Sequence, residues 1–140
     1  MSLATDSIFM KAIQSDASLM QKIGGRLYGT AIGLPDEEAD NVPVPYIIVT
    51  FNGLTNDQGT KDDRYESRYD KVEIGVEVTA KTLDGLHILT EMARDTILSY
   101  LRSRTTAVDD YLFTAEGIQY DSMKPCYWQV LRYQCDTIND

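Results

Sequence analysis

Residues 71–80 read Lys71-Val72-Glu73-Ile74-Gly75-Val76-Glu77-Val78-Thr79-Ala80. Apolar side chains occupy every second position, and the positions between them are polar except for a glycine. Successive side chains of a strand point to opposite faces of a sheet, so the alternation predicts a strand with one face on a core. The other face is expected to be wet or to lie at an interface. Gly75, on that polar face, predicts a bulge or a close approach of the neighbouring strand.

The next segment predicts a long amphipathic helix over residues 83–103. Thr82 is a typical N-cap residue for it. Its apolar residues recur three or four positions apart, which places them on one helical face that we expect to pack against the sheet. These residues are Leu86, Leu89, Ala93, Ile97 and Leu101.

Upstream, residues 46–51 are all β-branched or aromatic and predict a buried strand. Residues 52–66 are rich in glycine, asparagine and aspartate and predict a long exposed hairpin loop. Residues 4–23 predict a helix capped by Thr5 or Asp6, a break at Ser15-Asp16 and a second short helix. Gly24-Gly25 ends that helix, and a short strand at residues 26–28 precedes a proline-bearing loop.

Downstream, residues 111–120 predict a strand bent near Gly117, and residues 126–136 predict a last strand after a turn. Aromatic residues on both faces of the last strand indicate that it is covered on both sides. The order of elements predicts an α+β fold, in which a mostly antiparallel sheet carries an N-terminal helix pair and one long helix on one face. The length of 140 residues fits a single domain spanning residues 1–140.

The chain is acidic, with 13 Lys+Arg against 22 Asp+Glu and a net charge of −9. This balance argues against binding to duplex DNA or to anionic lipid, both of which favour basic surfaces. The sequence has no secretory signal pattern and no apolar run of membrane-spanning length, so we expect a soluble intracellular protein without a membrane partner.

No catalytic constellation is recognisable. The sequence has one histidine, His87, and no nucleophile motif that it could activate as a general base. No phosphate-binding glycine loop is present. Cys126 and Cys135 are nine positions apart, so on one strand they point to opposite faces and should not form a disulfide. We therefore predict no catalytic residue, no cofactor and no metal site.

Two loops carry the remaining candidates. The acidic run Asp36, Glu37, Glu38 and Asp40 lacks the ligand spacing of a calcium loop and is interpreted as solvated charge. Tyrosine is frequent, with nine residues, and tyrosine is enriched at protein interfaces although it is also common in ordinary sheets. The candidate interface residues around the second loop are Asp62, Asp63, Arg64, Tyr65 and Tyr69.

The layout resembles a known family across residues 5–135. The resemblance is carried by Ile23-Gly24-Gly25-Arg26-Leu27-Tyr28, by Pro43-Val44-Pro45-Tyr46-Ile47-Ile48-Val49, and by Leu83-Asp84-Gly85 with the long helix that ends in Ile97-Leu98-Ser99-Tyr100-Leu101. These pieces, in this order, are similar to the small tail-completion proteins of long-tailed phages and prophages. That family includes tail terminators and tail-to-head joining proteins, and many members are described only as a domain of unknown function.

The resemblance implies a structural assembly protein rather than an enzyme. Such subunits form a homo-oligomeric ring, commonly a hexamer, that caps the tail tube and joins it to the head connector. The protein would then act in the cytoplasm of the bacterial host during assembly and remain in the virion tail. Six copies would carry six times −9, or −54, and the acidic run at residues 36–40 facing the channel would let DNA pass without specific binding.

An alternative of another class is a stand-alone cellular α+β binding module for a small ligand or a protein. In that hypothesis residues 52–66 act as a mobile binding loop. Self-association in solution and tail genes beside this one would favour the assembly protein, whereas a metabolic operon would favour the binding module.

Overall fold

A computed structural model describes residues 2–29, 43–56, 69–103 and 108–138 of the chain. Within these ranges a 3-10 turn at Ser2–Ala4 leads into helices α1 (Thr5–Gln14), α2 (Ala17–Lys22) and, later, α3 (Leu83–Ser103). The strands are β1 (Leu27–Gly29), β2 (Tyr46–Asn56), β3 (Tyr69–Ala80), β4 (Val108–Ala115), β5 (Gln119–Asp121) and β6 (Cys126–Ile138).

The strands form one mostly antiparallel sheet in the order β1-β2-β3-β6-β4, with β5 also paired to β6. Only the β1–β2 pair is parallel among the described strands. β3 pairs along one side of β6, whereas β4 and β5 pair with successive parts of its other side. The predicted bent strand at residues 111–120 is therefore two separate strands, and the first begins earlier, at Val108. The predicted α+β class is confirmed.

The core lies between the sheet and the helices. The apolar positions of β3 are buried as the alternation predicted, and each of the three helices contributes side chains to the same cluster. Because all three bury residues in one cluster, they lie on the same face of the sheet. The fully buried members include Phe9 and Ile13 of α1, Leu19 of α2, Val72, Ile74 and Val76 of β3, and Leu86 and Ile97 of α3.

The helix ends follow the sequence except at the first helix. Thr5 lies inside α1 and is fully buried, and Ala4 occupies the N-cap position without a side-chain cap, so the predicted capping role of Thr5 or Asp6 is wrong. Asp16 caps α2 by accepting a hydrogen bond from the Leu19 N–H at 3.1 Å. Thr82 accepts one from the Gly85 N–H at 3.0 Å at the start of α3.

The predicted loop at residues 52–66 is too long. β2 continues to Asn56, and its last residues pair with the start of β3. Pairing with a neighbouring strand outweighs the poor strand propensity of glycine and asparagine here. A bulge between Phe51 and Gly53 accommodates the register, and Gly53 has a φ of 155°, which suits glycine. Residues 52–56 therefore belong to β2 and not to the binding loop of the alternative hypothesis. Residues 57–66, the rest of that predicted loop, lie outside the described ranges.

None of the helices in the described ranges is long and apolar enough to cross a bilayer.

Candidate protein interface

The face of the sheet opposite the helices, called the outer face below, is the most distinctive surface of the molecule. Its centre is formed by β2, β3 and β6, whose registers align side chains in rows across the sheet. No helix in the described ranges packs on it, because the helices bury their side chains on the other side. The outer-face side chains include Tyr46, Ile48 and Thr50 of β2, Glu73, Glu77 and Thr79 of β3, and Trp128, Val130, Arg132 and Gln134 of β6.

The central row consists of Ile48, Glu77 and Val130. Ile48 pairs with Glu77, and Glu77 pairs with Val130. Ile48 is only 7% exposed although it does not belong to the helix-side core. Burial raises the pKa of Glu77, and no hydrogen bond or ion pair holds its carboxylate within the described residues. A half-buried acid between two aliphatic side chains is costly when ionised, unless another molecule supplies a partner.

A second row adds aromatic surface. Tyr46 lies opposite Thr79, which in turn lies opposite the half-buried Trp128. The Tyr46 ring meets the ring of Tyr28 edge-on, with centroids 6.3 Å apart, and the Lys124 ammonium lies 5.4 Å from the Tyr46 centroid. Burial raises the pKa of Tyr46, and a hydrogen bond with Thr79 opposes that shift. These contacts fix a mixed aromatic and aliphatic surface of the kind enriched at protein interfaces.

Gly75 lets two strands pack closely at the next row. A Cβ on Gly75 would lie 2.8 Å from Thr50 Oγ1 and 3.0 Å from Asn52 Nδ2. The Thr50 hydroxyl donates a hydrogen bond to the Gly75 carbonyl at 3.3 Å. Of the two predicted roles of Gly75, the close approach is therefore confirmed, and the bulge lies on β2 instead.

Two salt bridges centre on Arg132. Its guanidinium lies 3.2 Å from a Glu73 carboxylate oxygen and 2.9 Å from one of Glu116. The bridge links β3 to β6 and to the residue after β4. All three side chains remain more than one third exposed, so the network contributes modestly to stability. Glu77, on the same face of β3 as Glu73, takes no part in these two bridges.

Solved structures with this fold include a chain from the virion of a native gene transfer agent particle. The alignment covers 96% of this chain and 94% of that chain, with a TM-score of 0.61 and 10% identity. The gp17 protein of bacteriophage SPP1 is also similar, over 99% of this chain and 91% of that chain, with a TM-score of 0.50 and 15% identity. This fold occurs in phage-related proteins. No protein-family model matches the sequence, and no curated protein is similar to it in sequence.

Most of the predicted site residues lie outside the described ranges. Asp36, Glu37, Glu38 and Asp40 fall within residues 30–42, and Asp62, Asp63, Arg64 and Tyr65 fall within residues 57–68. Tyr69 begins β3, where its backbone pairs with Ile138. These assignments stay predictions. The sequence predicted a face of β3 that is wet or at an interface and a last strand covered on both sides, whereas the row of Ile48, Glu77 and Val130 follows from the strand registers.

Among the described residues, the side chains that a catalytic or metal site would need are dispersed. His87 is exposed on α3. Cys126 and Cys135 are free and buried, and burial raises the pKa of Cys135 to about 12, which suppresses the nucleophilic thiolate. In the part of the chain that the structure describes, no three His, Cys, Asp or Glu side chains are grouped so as to hold a metal ion.

Proposed function

We propose that this chain is a structural assembly protein of a long-tailed phage or prophage tail. In this proposal it forms a ring that caps the tail tube and joins it to the head connector, and it carries no catalytic activity. The observation that carries the proposal is the outer face, where Ile48 and Val130 flank Glu77 in the central row and no helix from the described residues packs. The fold shared with a gene transfer agent virion chain and with SPP1 gp17 supports the same class of function.

A neighbouring subunit is the partner that best explains the outer face. Large aromatic side chains, such as Tyr46 and Trp128 on this face, are enriched at protein interfaces. A ring closes by heterologous contacts, in which one surface of each copy meets a different surface of the next. The outer face would be one of these two surfaces, and Glu77 would then gain a partner that the described residues do not supply.

The net negative charge of the chain fits a ring through whose channel DNA passes. With a net charge of −9 per copy, a ring repels the phosphate backbone rather than binding it. In the proposal, the acidic run at residues 36–40 faces the channel, and residues 62–65 with Tyr69 contribute to a protein contact. The protein would assemble in the cytoplasm of the bacterial host and remain in the virion tail, in contact with tail-tube and connector proteins.

The test is self-association measured by sedimentation velocity from micromolar to millimolar concentration. Val130→Lys places a cation in the centre of the outer face and should abolish the oligomer. His87→Lys adds the same charge on the exposed surface of α3 and serves as the matched control, which should assemble like the unaltered chain. Circular dichroism shows whether both variants remain folded. A chain that stays monomeric at every concentration, or a Val130→Lys variant that assembles normally, would contradict the proposal.

A further inference from the structure

A second feature lies on the helix side of the sheet, away from the outer face. A cleft of about 470 Å³ runs between α3 and the edge strand β4. One wall is formed by side chains of α3, the other by side chains of β4, and Tyr133 of β6 lies at the floor. The lining residues are Arg94, Leu98, Arg102, Asp110, Tyr111, Phe113 and Tyr133.

The cleft concentrates positive charge in an acidic chain. Arg94 and Arg102 are eight positions apart on α3, so they lie on one side of the helix about 12 Å apart along its axis. The Arg94 guanidinium lies 4.3 Å from the Phe113 ring centroid, and in the described residues neither arginine forms an ion pair. The carboxylate of Asp110, which also lines the cleft, accepts a hydrogen bond from the Tyr111 N–H at 2.8 Å and forms no ion pair with either arginine among the described residues.

An unsatisfied donor lies at the floor of the same cleft. The Tyr133 side chain is only 1% exposed, and its hydroxyl has no hydrogen-bond partner among the residues that the structure describes. The ring packs against those of Phe9, Tyr111 and Phe113, with centroids 5.0, 5.7 and 5.1 Å away. Buried hydroxyls are nearly always paired, so an orphan beside a cleft indicates a missing acceptor. Burial raises the pKa of Tyr133, which keeps the hydroxyl protonated and able to donate, and Arg94 lies within electrostatic range of it.

We propose that this cleft binds an extended acidic segment of a partner protein. One carboxylate would lie at Arg94 and accept the hydrogen of the Tyr133 hydroxyl, and a second would lie at Arg102. Carboxylates four positions apart on an extended chain are about 13 Å apart, which matches the spacing of the two arginines. Apolar side chains between them would contact Leu98 and Tyr111. In the described part of the sheet β4 is an edge strand, so an extended segment here can also pair with its backbone.

The probe is a fluorescein-labelled synthetic peptide with two glutamates four positions apart and alanine and leucine between them. Fluorescence anisotropy with the full chain should detect binding that weakens as salt is added. Arg94→Gln and Arg102→Gln should each weaken binding about fivefold or more, because each removes a charge-assisted contact. The same peptide with glutamines in place of the glutamates should not bind.

Two further variants separate a binding role from a structural one. Tyr133→Phe removes the orphan hydroxyl, so it should raise the melting temperature of the free protein and weaken peptide binding severalfold. Val130→Lys on the outer face should leave peptide binding unchanged, so the failure of the ring proposal and the failure of this one are distinguishable. The proposal is overturned if the acidic peptide does not bind, if the glutamine peptide binds equally, or if the arginine variants have no effect. Preferential, Arg94-dependent binding of a DNA oligonucleotide would also overturn it.

Discussion

At the scale of single residues, Gly75 leaves little room for a side chain because two side chains of β2 lie against it. Gly75→Ala should destabilise the fold by about 1–3 kcal/mol, because the new methyl group would meet Thr50 Oγ1 at 2.8 Å and Asn52 Nδ2 at 3.0 Å. Thr50 can avoid the methyl group only by giving up its hydrogen bond to the Gly75 carbonyl. Urea unfolding of the purified variant measures the loss.

Gly117→Ala is the matched control for Gly75→Ala. A Cβ at Gly117 meets nothing within 4 Å, so its free energy of unfolding should change by no more than about 0.5 kcal/mol. Combining Gly75→Ala with Thr50→Ala should recover part of the loss, since the clashing oxygen is then absent. Equal losses at both glycines would show that the close approach of Thr50 and Asn52 does not decide the outcome.

Glu77 should make stability depend on pH in a direction unusual for a carboxylate. Burial raises its pKa in the folded chain, so the folded state favours the neutral acid. Its stabilising contribution is present below the unfolded pKa and is lost as pH rises through the folded pKa. Glu77→Gln should therefore stabilise the isolated chain at pH 7, on the order of 0.5 kcal/mol because the side chain is half-exposed, and the gain should vanish near pH 4. Denaturant unfolding at both pH values measures it.

Glu73→Gln is the control for Glu77→Gln, because Glu73 is the other glutamate of β3 on the outer face. Glu73 is paired with Arg132 at 3.2 Å, so its loss should leave stability at pH 7 unchanged or lower it by up to about 1 kcal/mol. A Glu77→Gln variant that is less stable than the unaltered chain at pH 7 would mean that the ionised carboxylate has a stabilising partner.

At the scale of elements, the periodicity of the sequence predicted the bounds that depend on one element alone. The bounds of α3 agree with the predicted helix at residues 83–103, because an N-cap, a continuous apolar stripe and a well-formed amphipathic face coincide there. The start of β2 and the end of β3 agree with the prediction, whereas the last residues of β2 could not be predicted, since Thr55 and Asn56 are held by pairing with Lys71 and Asp70 rather than by their own propensity. The predicted cap of α1 was wrong for a similar reason, because the Thr5 side chain is buried by packing.

Asp16 couples two helices. Its carboxylate caps α2 through the Leu19 N–H and also accepts a hydrogen bond from the Thr96 hydroxyl of α3 at 2.6 Å. Asp16→Ala should cost about 1–2 kcal/mol, as loss of a good N-cap does. Thr96→Val should cost about 1 kcal/mol, and the double variant less than the sum of the two. Thermal or urea unfolding of the three variants gives the coupling.

The pH dependence of Asp16 should oppose that of Glu77. Hydrogen bonds from Thr96 and Leu19 lower the pKa of Asp16, so its contribution is present above the unfolded pKa and is lost as pH falls. The difference between the unaltered chain and Asp16→Ala should therefore shrink under acid conditions. Asp6→Ala is the control, because Asp6 accepts only from the adjacent Ser7 N–H and should cost less. Additive effects of Asp16→Ala and Thr96→Val would contradict the coupling.

At the scale of the whole molecule, the fold class followed from the sequence, whereas the candidate sites did not. Alternation in β3 predicted a second face that is wet or at an interface, but its apolar centre depends on Ile48 and Val130, which the sequence separates by 82 positions and the sheet joins through Glu77. The cleft between α3 and β4 likewise depends on how the helix crosses the sheet edge. In the proposed assembly, the residues that a second copy would contribute to the contact cannot be identified from any one segment of the sequence.

Self-association should strengthen as salt is added. Each copy carries a net charge of −9, so assembly brings like charges together, and raising salt from about 0.1 M to 1 M shortens the screening length from roughly 10 Å to 3 Å. The apolar contact proposed for the outer face is not weakened by this screening. Sedimentation velocity at low and high salt should therefore show more oligomer at high salt, with Val130→Lys monomeric in both. An oligomer that dissociates as salt rises would mean that ion pairs, and not the apolar centre of the outer face, hold the copies together.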